Sequence, residues 1–397
     1  PMTGKSSLKG AVIQNGVDLY VRKVNRLGGI NGRKVKTLVF DDKNDQTLAV
    51  EVAEKIAANE KILLVIGHRG SDQSMKAGLV YKKNKIPAIS GSATSPDVTK
   101  DNPWYFRTIF SNAMQAELIA NYAKKVLKHD RAIVIYRESS SYEKTLKEAF
   151  ERLAPEVPME VAVIDFEARG LADVDFDVEN LADILPEIPH VPPNQSGKTF
   201  VFLAMSDSKC GPLVKAIRDS DNHIGMIGAD SVGKGIFWKR FIEDEDDNGK
   251  EMGFYTEGIY ATTPLIFDVA SPEALEFEKE YKALFGKPPD AIAATYYDAA
   301  QVGLAAIDRS LDSNSRYNLQ EHRKSIRDQL AAMNDFDSSI PGITNPIYFD
   351  DQGDLDSSNA VPMGLYQSRQ MTSAAVQLIP KSQKVEVVSD KDIVTHL

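Results

Sequence analysis

A chain of 397 residues, 42% hydrophobic and 26% charged, has apolar material for a large core and length for two or three domains. Its net charge of -10 removes the basic face that a general nucleic-acid or anionic-membrane binder needs. The single cysteine, Cys210, excludes an internal disulfide framework and a cysteine-rich metal site, and no apolar run is long enough to span a membrane.

From the start of the chain, Ile13, Val17, Tyr20, Val21, Val24 and Leu27 form one stripe of a helix over about residues 10–29, stopped by Gly28-Gly29. Asn31-Gly32 turns the chain into an expected strand from Val35 to Phe40. A helix from about Thr47 to Asn59, with Val52, Ala53, Ile56 and Ala57 inward, leads to a strand from Ile62 to Ile66 and another from Pro87 to Ile89. Helix alternating with strand is the grammar of a doubly wound parallel sheet.

The same grammar restarts after Asn112. Strands are expected at Ala132 to Tyr136, Val161 to Ile164, Phe200 to Leu203 and Ile224 to Ile227, with helices at Tyr142 to Leu153 and Lys209 to Arg218. Cys210 reads as a small buried apolar residue on the second helix. Between Asp165 and Lys198 lie an expected helix near Val178 to Leu185 and a proline-rich surface excursion. Beyond Tyr260 come helices at Pro272 to Phe285, Ala291 to Leu311 and His322 to Met333. The tail, with Gly364-Leu365-Tyr366-Gln367 and Ala375-Val376-Gln377-Leu378, reads as strands. The whole reads as an α/β chain with two lobes, each with doubly wound grammar.

Two strand ends carry the functional signal. The Ile62 strand runs into Gly67-His68-Arg69-Gly70-Ser71, and the Pro87 strand into Ser90-Gly91-Ser92-Ala93-Thr94-Ser95-Pro96. Glycines and hydroxyls at the carboxyl ends of parallel strands place backbone N–H groups and side-chain donors where a small molecule binds.

Six segments together resemble the type I periplasmic binding proteins, in the leucine/isoleucine/valine-binding branch of the extracellular ligand-binding receptors. They are Gly28-Gly29-Ile30-Asn31-Gly32, Asp41-Asp42, Val65-Ile66-Gly67-His68, Ile89 to Pro96, Phe106-Arg107-Thr108 and Tyr296-Tyr297-Asp298-Ala299-Ala300, and their order and spacing match nearly the whole chain. The resemblance implies two Rossmann-like, doubly wound lobes joined by crossover strands and closing on a ligand, with residues 1–112 and 261–345 in lobe I, and 113–260 and 346–397 in lobe II. It implies an extracytoplasmic receptor for an amino acid or related small carboxylate that feeds an ABC permease. It implies no catalytic residues, metal or cofactor. A sensing ectodomain of a signalling receptor is the alternative within the binding class. An enzyme on a Rossmann-like scaffold is the alternative outside it.

By the same resemblance, Gly70, Ser71, Ser92, Ala93 and Thr94 hold the ligand's charged α-groups from lobe I, while Tyr142, Ser206 and Asp230 contact it from lobe II. Asp230 follows a strand end, where an acid can meet an ammonium group. Two positions depart from the branch pattern, because Lys9 and Arg69 stand where the branched-chain binders carry a tyrosine and a leucine. Arg69 is expected to favour a polar or acidic ligand, since an unpaired guanidinium is costly to close into an apolar pocket. Lys9, expected just ahead of the first helix, is weighed toward snorkelling into water. The family pattern also has a strand ahead of the turn in which Pro1 stands. An apolar segment directly before Pro1 is therefore expected, as is a removed signal that leaves the protein periplasmic or extracellular.

Bland explanations cover the other motifs. His68 has no partnered nucleophile, and a structural histidine after a strand accounts for it. Residues 228–235, Gly-Ala-Asp-Ser-Val-Gly-Lys-Gly, miss the phosphate loop by having Gly235 where a hydroxyl must hold magnesium. Glu243 to Asp247 lacks calcium-loop spacing, and Asn194-Gln195-Ser196 is a chance glycosylation match.

Overall fold

The computed structural model describes residues 1–170, 181, 184–192, 197–311, 318–356, 358, 362–367, 370–373, 376–378 and 385–387. Contacts divide the chain into two units, Pro1–Ser111 with Ala270–Asn359 and Asn112–Val269 with Ala360–Leu397. The chain passes from one to the other at 111/112, 269/270 and 359/360, where the sequence reading places the changes at 112/113, 260/261 and 345/346.

In the first unit, α1 (Ser7–Arg26), α2 (Gln46–Ala57), β1 (Val65–Ile66), α3 (Ser71–Asn84), β2 (Ala88–Ser90) and β3 (Tyr105–Arg107) follow in chain order. The three strands form one parallel sheet in the order β1-β2-β3. Asp45 caps α2 by accepting from Leu48 N–H, and Ala49, Val52, Ala53 and Ile56 bury the inner face.

The second unit opens with α4 (Asn112–Lys125), β4 (Arg131–Tyr136), α5 (Ser141–Leu153), β5 (Glu160–Asp165), β6 (Thr199–Leu203), α6 (Asp207–Asp219), β7 (Gly225–Gly228) and β8 (Tyr260–Thr262). The chain then returns to the first unit for α7 (Pro272–Phe285), α8 (Ala291–Ser310), α9 (Leu319–Ala331), β9 (Ile340–Pro341) and β10 (Pro346–Ile347). It ends in the second unit with β11 (Met363–Gln367), β12 (Gln370–Ser373) and the antiparallel pair β13 (Val376–Leu378) and β14 (Val385–Val387).

The second unit's sheet has the order β12-β11-β8-β7-β6-β4-β5. It is parallel from β8 to β5, and β11 joins β8 antiparallel. Its core joins Ile133, Val201, Leu203 and Met226 of the strands to Leu213, Val214 and Ile217 of α6. Cys210 is fully buried in that core, and burial pushes its thiol up, as suits a space-filling apolar residue. The helix expected near Val178 to Leu185, the Asn194-Gln195-Ser196 match and Ala375 lie wholly or mainly outside the described residues. No described helix is long and apolar enough to cross a membrane.

Close approach fixes the α1–α8 crossing. A Cβ on Gly16 would stand 2.2 Å from the Ala293 carbonyl oxygen, so only glycine lets the backbones meet. Helix α8 is buried on almost every side, from Ala291 to Ala300, which explains its alanine-rich sequence.

One expected element is absent. Residues 35–40 form no ladder, and β1 is an edge strand of its sheet. Between that run and residues 63–66 lies a cavity of about 450 Å³, walled also by Ile13 and Val17 of α1 and by Val52 and Ile56 of α2. The apolar run signals a strand, but pairing needs a neighbour; no described strand stands between this run and β1, and Leu38 and Val39 are left exposed. The slot is expected to bind a hydrophobic dye such as ANS. Joining an apolar β-branched segment of about five residues ahead of Pro1, which lines the slot, should abolish that binding. Burying such side chains at about 1.5–3 kcal/mol each, less the entropy of ordering them, should also raise Tm by roughly 5–10 °C. Unchanged dye binding and Tm would show that the slot does not take a strand.

Candidate functional site

In the first unit, β1 and β2 end side by side, and the loops that follow are stitched together by hydroxyls. Ser90 Oγ donates to the His68 carbonyl at 2.8 Å, and Ser92 Oγ donates to the Arg69 carbonyl at 2.8 Å. Tyr296 of α8 donates its phenol to the same His68 carbonyl at 3.1 Å and lies 3.0 Å from Ser92 Oγ. Ser71, the first residue of α3, accepts from Ser95 N–H at 3.2 Å, with Gly70 as the helix N-cap. Ala93 N–H donates to Ser90 Oγ at 3.1 Å. The serines are therefore engaged in building the loops.

Thr94 differs. It is fully buried, and its Oγ1 has no hydrogen-bond partner. A buried hydroxyl without a partner costs about 1–3 kcal/mol, so it marks a place where another polar group completes the structure. Beneath the loop, Arg107 of β3 is fully buried and donates to the carbonyls of Ala93 at 3.1 Å and Ser95 at 2.8 Å, and to Thr99 Oγ1 at 2.7 Å, while pairing with Asp354 at 2.6 Å. Arg69 is half-buried and donates to Asn44 Oδ1 at 3.1 Å. Lys9 lies in the first turn of α1 and not ahead of it, because the helix begins two residues earlier, at Ser7.

His68 is consumed by structure. Its Nδ1 lies 2.6 Å from Asp42 Oδ2 and its Nε2 lies 2.8 Å from the Tyr81 phenol. The cavity beside it has a volume suited to a small molecule; its walls are mostly apolar, though Asp18, Arg33, Asp42 and Arg69 also line it, and they include the open edge of β1, which fits a strand.

In the second unit, the carboxyl ends of β4, β6 and β7 lie on one edge of the parallel sheet, and each leads to a candidate residue. Tyr142 sits in the first turn of α5, Ser206 is the N-cap of α6, and Asp230 follows β7. The structure joins two of them directly, since the Tyr142 phenol donates to Asp230 Oδ1 at 2.9 Å. Burial first, and the Asp230 charge second, hold that phenol well above its ordinary range, so it stays a donor. Ser206 meets the neighbouring residue instead: its N–H donates to Glu143 Oε1 at 3.1 Å. Glu143 is fully buried and pairs with Arg137 at 2.9 Å; burial raises its carboxyl against the pull of that guanidinium.

Asp230 is 1% exposed, and Gln115 Oε1 holds its N–H at 2.8 Å. Its Oδ2 lies 2.9 Å from Lys234 Nζ, an ion pair that lacks hydrogen-bond geometry, so Oδ2 has a charge partner but accepts no hydrogen bond. Sequence reasoning missed Arg107, Gln115, Glu143, Tyr296 and Lys234 as parts of these sites. Arg107 and Tyr296 stood in recognised segments without a role, and Lys234 left a trace four residues after Asp230 in a glycine-rich loop.

The periplasmic binding protein family model matches residues 1–370. A leucine-, isoleucine-, valine-, threonine- and alanine-binding protein of Pseudomonas aeruginosa is 23% identical over 356 residues, covering 89% of this chain and 85% of its own. Among solved structures, the leucine-binding protein LivK of Thermotoga maritima superposes with TM-score 0.77 at 21% identity, over 96% of this chain and 97% of its own. A solute-binding protein of an ABC transporter from R. palustris, in complex with benzoate, gives TM-score 0.75 at 20% identity, over 100% of this chain and 98% of its own. The two α/β units, the hydroxyl-rich strand ends and a family match over nearly the whole length agree, and the chain belongs to the periplasmic binding protein family.

Proposed function

We propose that the protein is an extracytoplasmic solute-binding receptor that takes an amino acid or a related small carboxylate, leaves it chemically unchanged and hands it to an ABC permease. The observation that carries this reading is the buried, unpartnered hydroxyl of Thr94 at the end of β2. Ser71 and Ser92 shape the loops around it, and charge-assisted hydrogen bonds from the Thr94 hydroxyl and the loop's N–H groups to a carboxylate are each worth about 1.5–3 kcal/mol. Tyr142, Asp230 and Ser206 supply the second set of ligand contacts, and Arg69 bears on the ligand's side chain. The relatives' names, which speak of amino acids and of benzoate, support a carboxylate as the shared feature.

The test is a thermal-shift screen of amino acids and small carboxylates set beside turnover assays on the same compounds; shifts without product support a receptor. Thr94→Val makes the test residue-specific. Valine removes an unsatisfied hydroxyl, so the ligand-free protein should melt a few degrees higher while affinity falls by about tenfold or more. Unchanged affinity in Thr94→Val would remove Thr94 from the site.

A further inference from the structure

We infer that Lys234 sets the ligand class: the second unit receives an anionic or acceptor group, and the preferred ligand is a carboxylate that lacks an α-ammonium. This rests on the receptor reading above and narrows it. An acid at the end of β7 is suited to a ligand ammonium only while its charge is free. Here Asp230 is already neutralised, because Oδ1 accepts from the Tyr142 phenol at 2.9 Å and Oδ2 faces Lys234 Nζ at 2.9 Å.

The ion pair is well shielded, the Lys234 side chain being 11% exposed and that of Asp230 1%. The loop that carries Lys234 is held in place. The buried Tyr366 phenol donates to the carbonyls of Val232 at 2.8 Å and Lys234 at 3.1 Å, and a Cβ on Gly233 would stand 2.0 Å from the Thr262 carbonyl oxygen. A second ammonium brought to Asp230 would meet the Lys234 charge at close range, where two like charges in a partly desolvated site repel strongly. The Lys234 ammonium has three donors, and one contact with Asp230 leaves capacity for an acceptor from the ligand. Nζ makes no hydrogen bond among the described residues. An acid without the amine avoids the repulsion and leaves Lys234 free for any further acceptor the ligand carries; an amino acid brings its ammonium against the Lys234 charge.

The experiment is titration calorimetry on the full chain with matched pairs that differ only in the amine: leucine against 4-methylpentanoate, phenylalanine against 3-phenylpropanoate, and glutamate against glutarate. In at least one pair the deaminated acid should bind about tenfold or more tightly than its amino-acid partner. Lys234→Met frees the Asp230 charge and should move that ratio about tenfold or more toward the amino acid. Lys234→Gln, which keeps a polar head in the loop, should move it the same way, and circular dichroism on both variants checks that they fold. An amino acid preferred in every pair, ratios below tenfold throughout, or a ratio unmoved in folded variants would overturn the inference and leave the receptor reading standing. Failure of the wild type to bind any member of the three pairs would overturn both.

Discussion

Replacing Arg107 by leucine is expected to destabilise the first unit by about 3–5 kcal/mol, a large share of the roughly 5–15 kcal/mol that holds a typical domain together. The guanidinium is fully buried, and removing it leaves Asp354 without its charge partner and strips donors from the carbonyls of Ala93 and Ser95. These carbonyls flank Thr94, so loss of order in the loop should also abolish ligand binding at temperatures where the fold survives. Arg107→Lys should recover little, since an ammonium cannot serve the divergent acceptors that the planar fork reaches. Urea denaturation measures the first effect and calorimetry the second. A loss below about 1 kcal/mol would show that the loop is held by other means.

Asp298→Ala should cost about 3 kcal/mol or more, because the carboxylate accepts from Ile343 N–H at 2.8 Å, Thr344 N–H at 3.0 Å and Thr344 Oγ1 at 2.6 Å, and alanine leaves all three donors unmatched. The group also gives the protein a pH signature. Burial pushes the Asp298 carboxyl up to about 7, with the three donors pulling the other way. The folded pKa therefore stands above the unfolded value of about 3.9, and the folded state binds the extra proton between the two. Its contribution is complete below about pH 4 and is lost as pH rises toward 7. Stability of the wild type relative to Asp298→Asn, which does not titrate, should fall by about 4 kcal/mol between pH 4 and pH 8. A difference that stays flat with pH would mean that the donors hold Asp298 ionised throughout.

Much of the architecture was legible because helix stripes and short apolar runs report burial locally. The helix expected at Pro272 to Phe285 forms with those ends, and Arg131–Tyr136, Thr199–Leu203 and Asp207–Asp219 extend the expected spans by only one or two residues at either end. Residues 35–40 show the limit of that signal, since an apolar run announces a strand but cannot supply its ladder partner, and without one Leu38 and Val39 stand exposed. The loops after β1 and β2 were legible from their abrupt change to glycine and hydroxyl residues. The supports beneath them were not, because Arg107 meets Asp354, and Tyr296 meets His68 and Ser92, across hundreds of residues. The Tyr296 to Ala300 segment shows how a motif can be recognised before its physics is known. Tyr296 clamps the site loops, and Asp298 caps the 343–344 turn. Which way Lys234 turns was equally invisible, for spacing puts it near Asp230 but cannot say whether its ammonium reaches the carboxylate or water.

Binding without conversion is tested most directly by native mass spectrometry of the purified protein incubated with the small-carboxylate and amino-acid panel, followed by release and weighing of the bound molecule. A one-to-one complex whose ligand is recovered at its original mass after prolonged incubation is the predicted result. A ligand of altered mass, or no complex with any member of the panel, would contradict it.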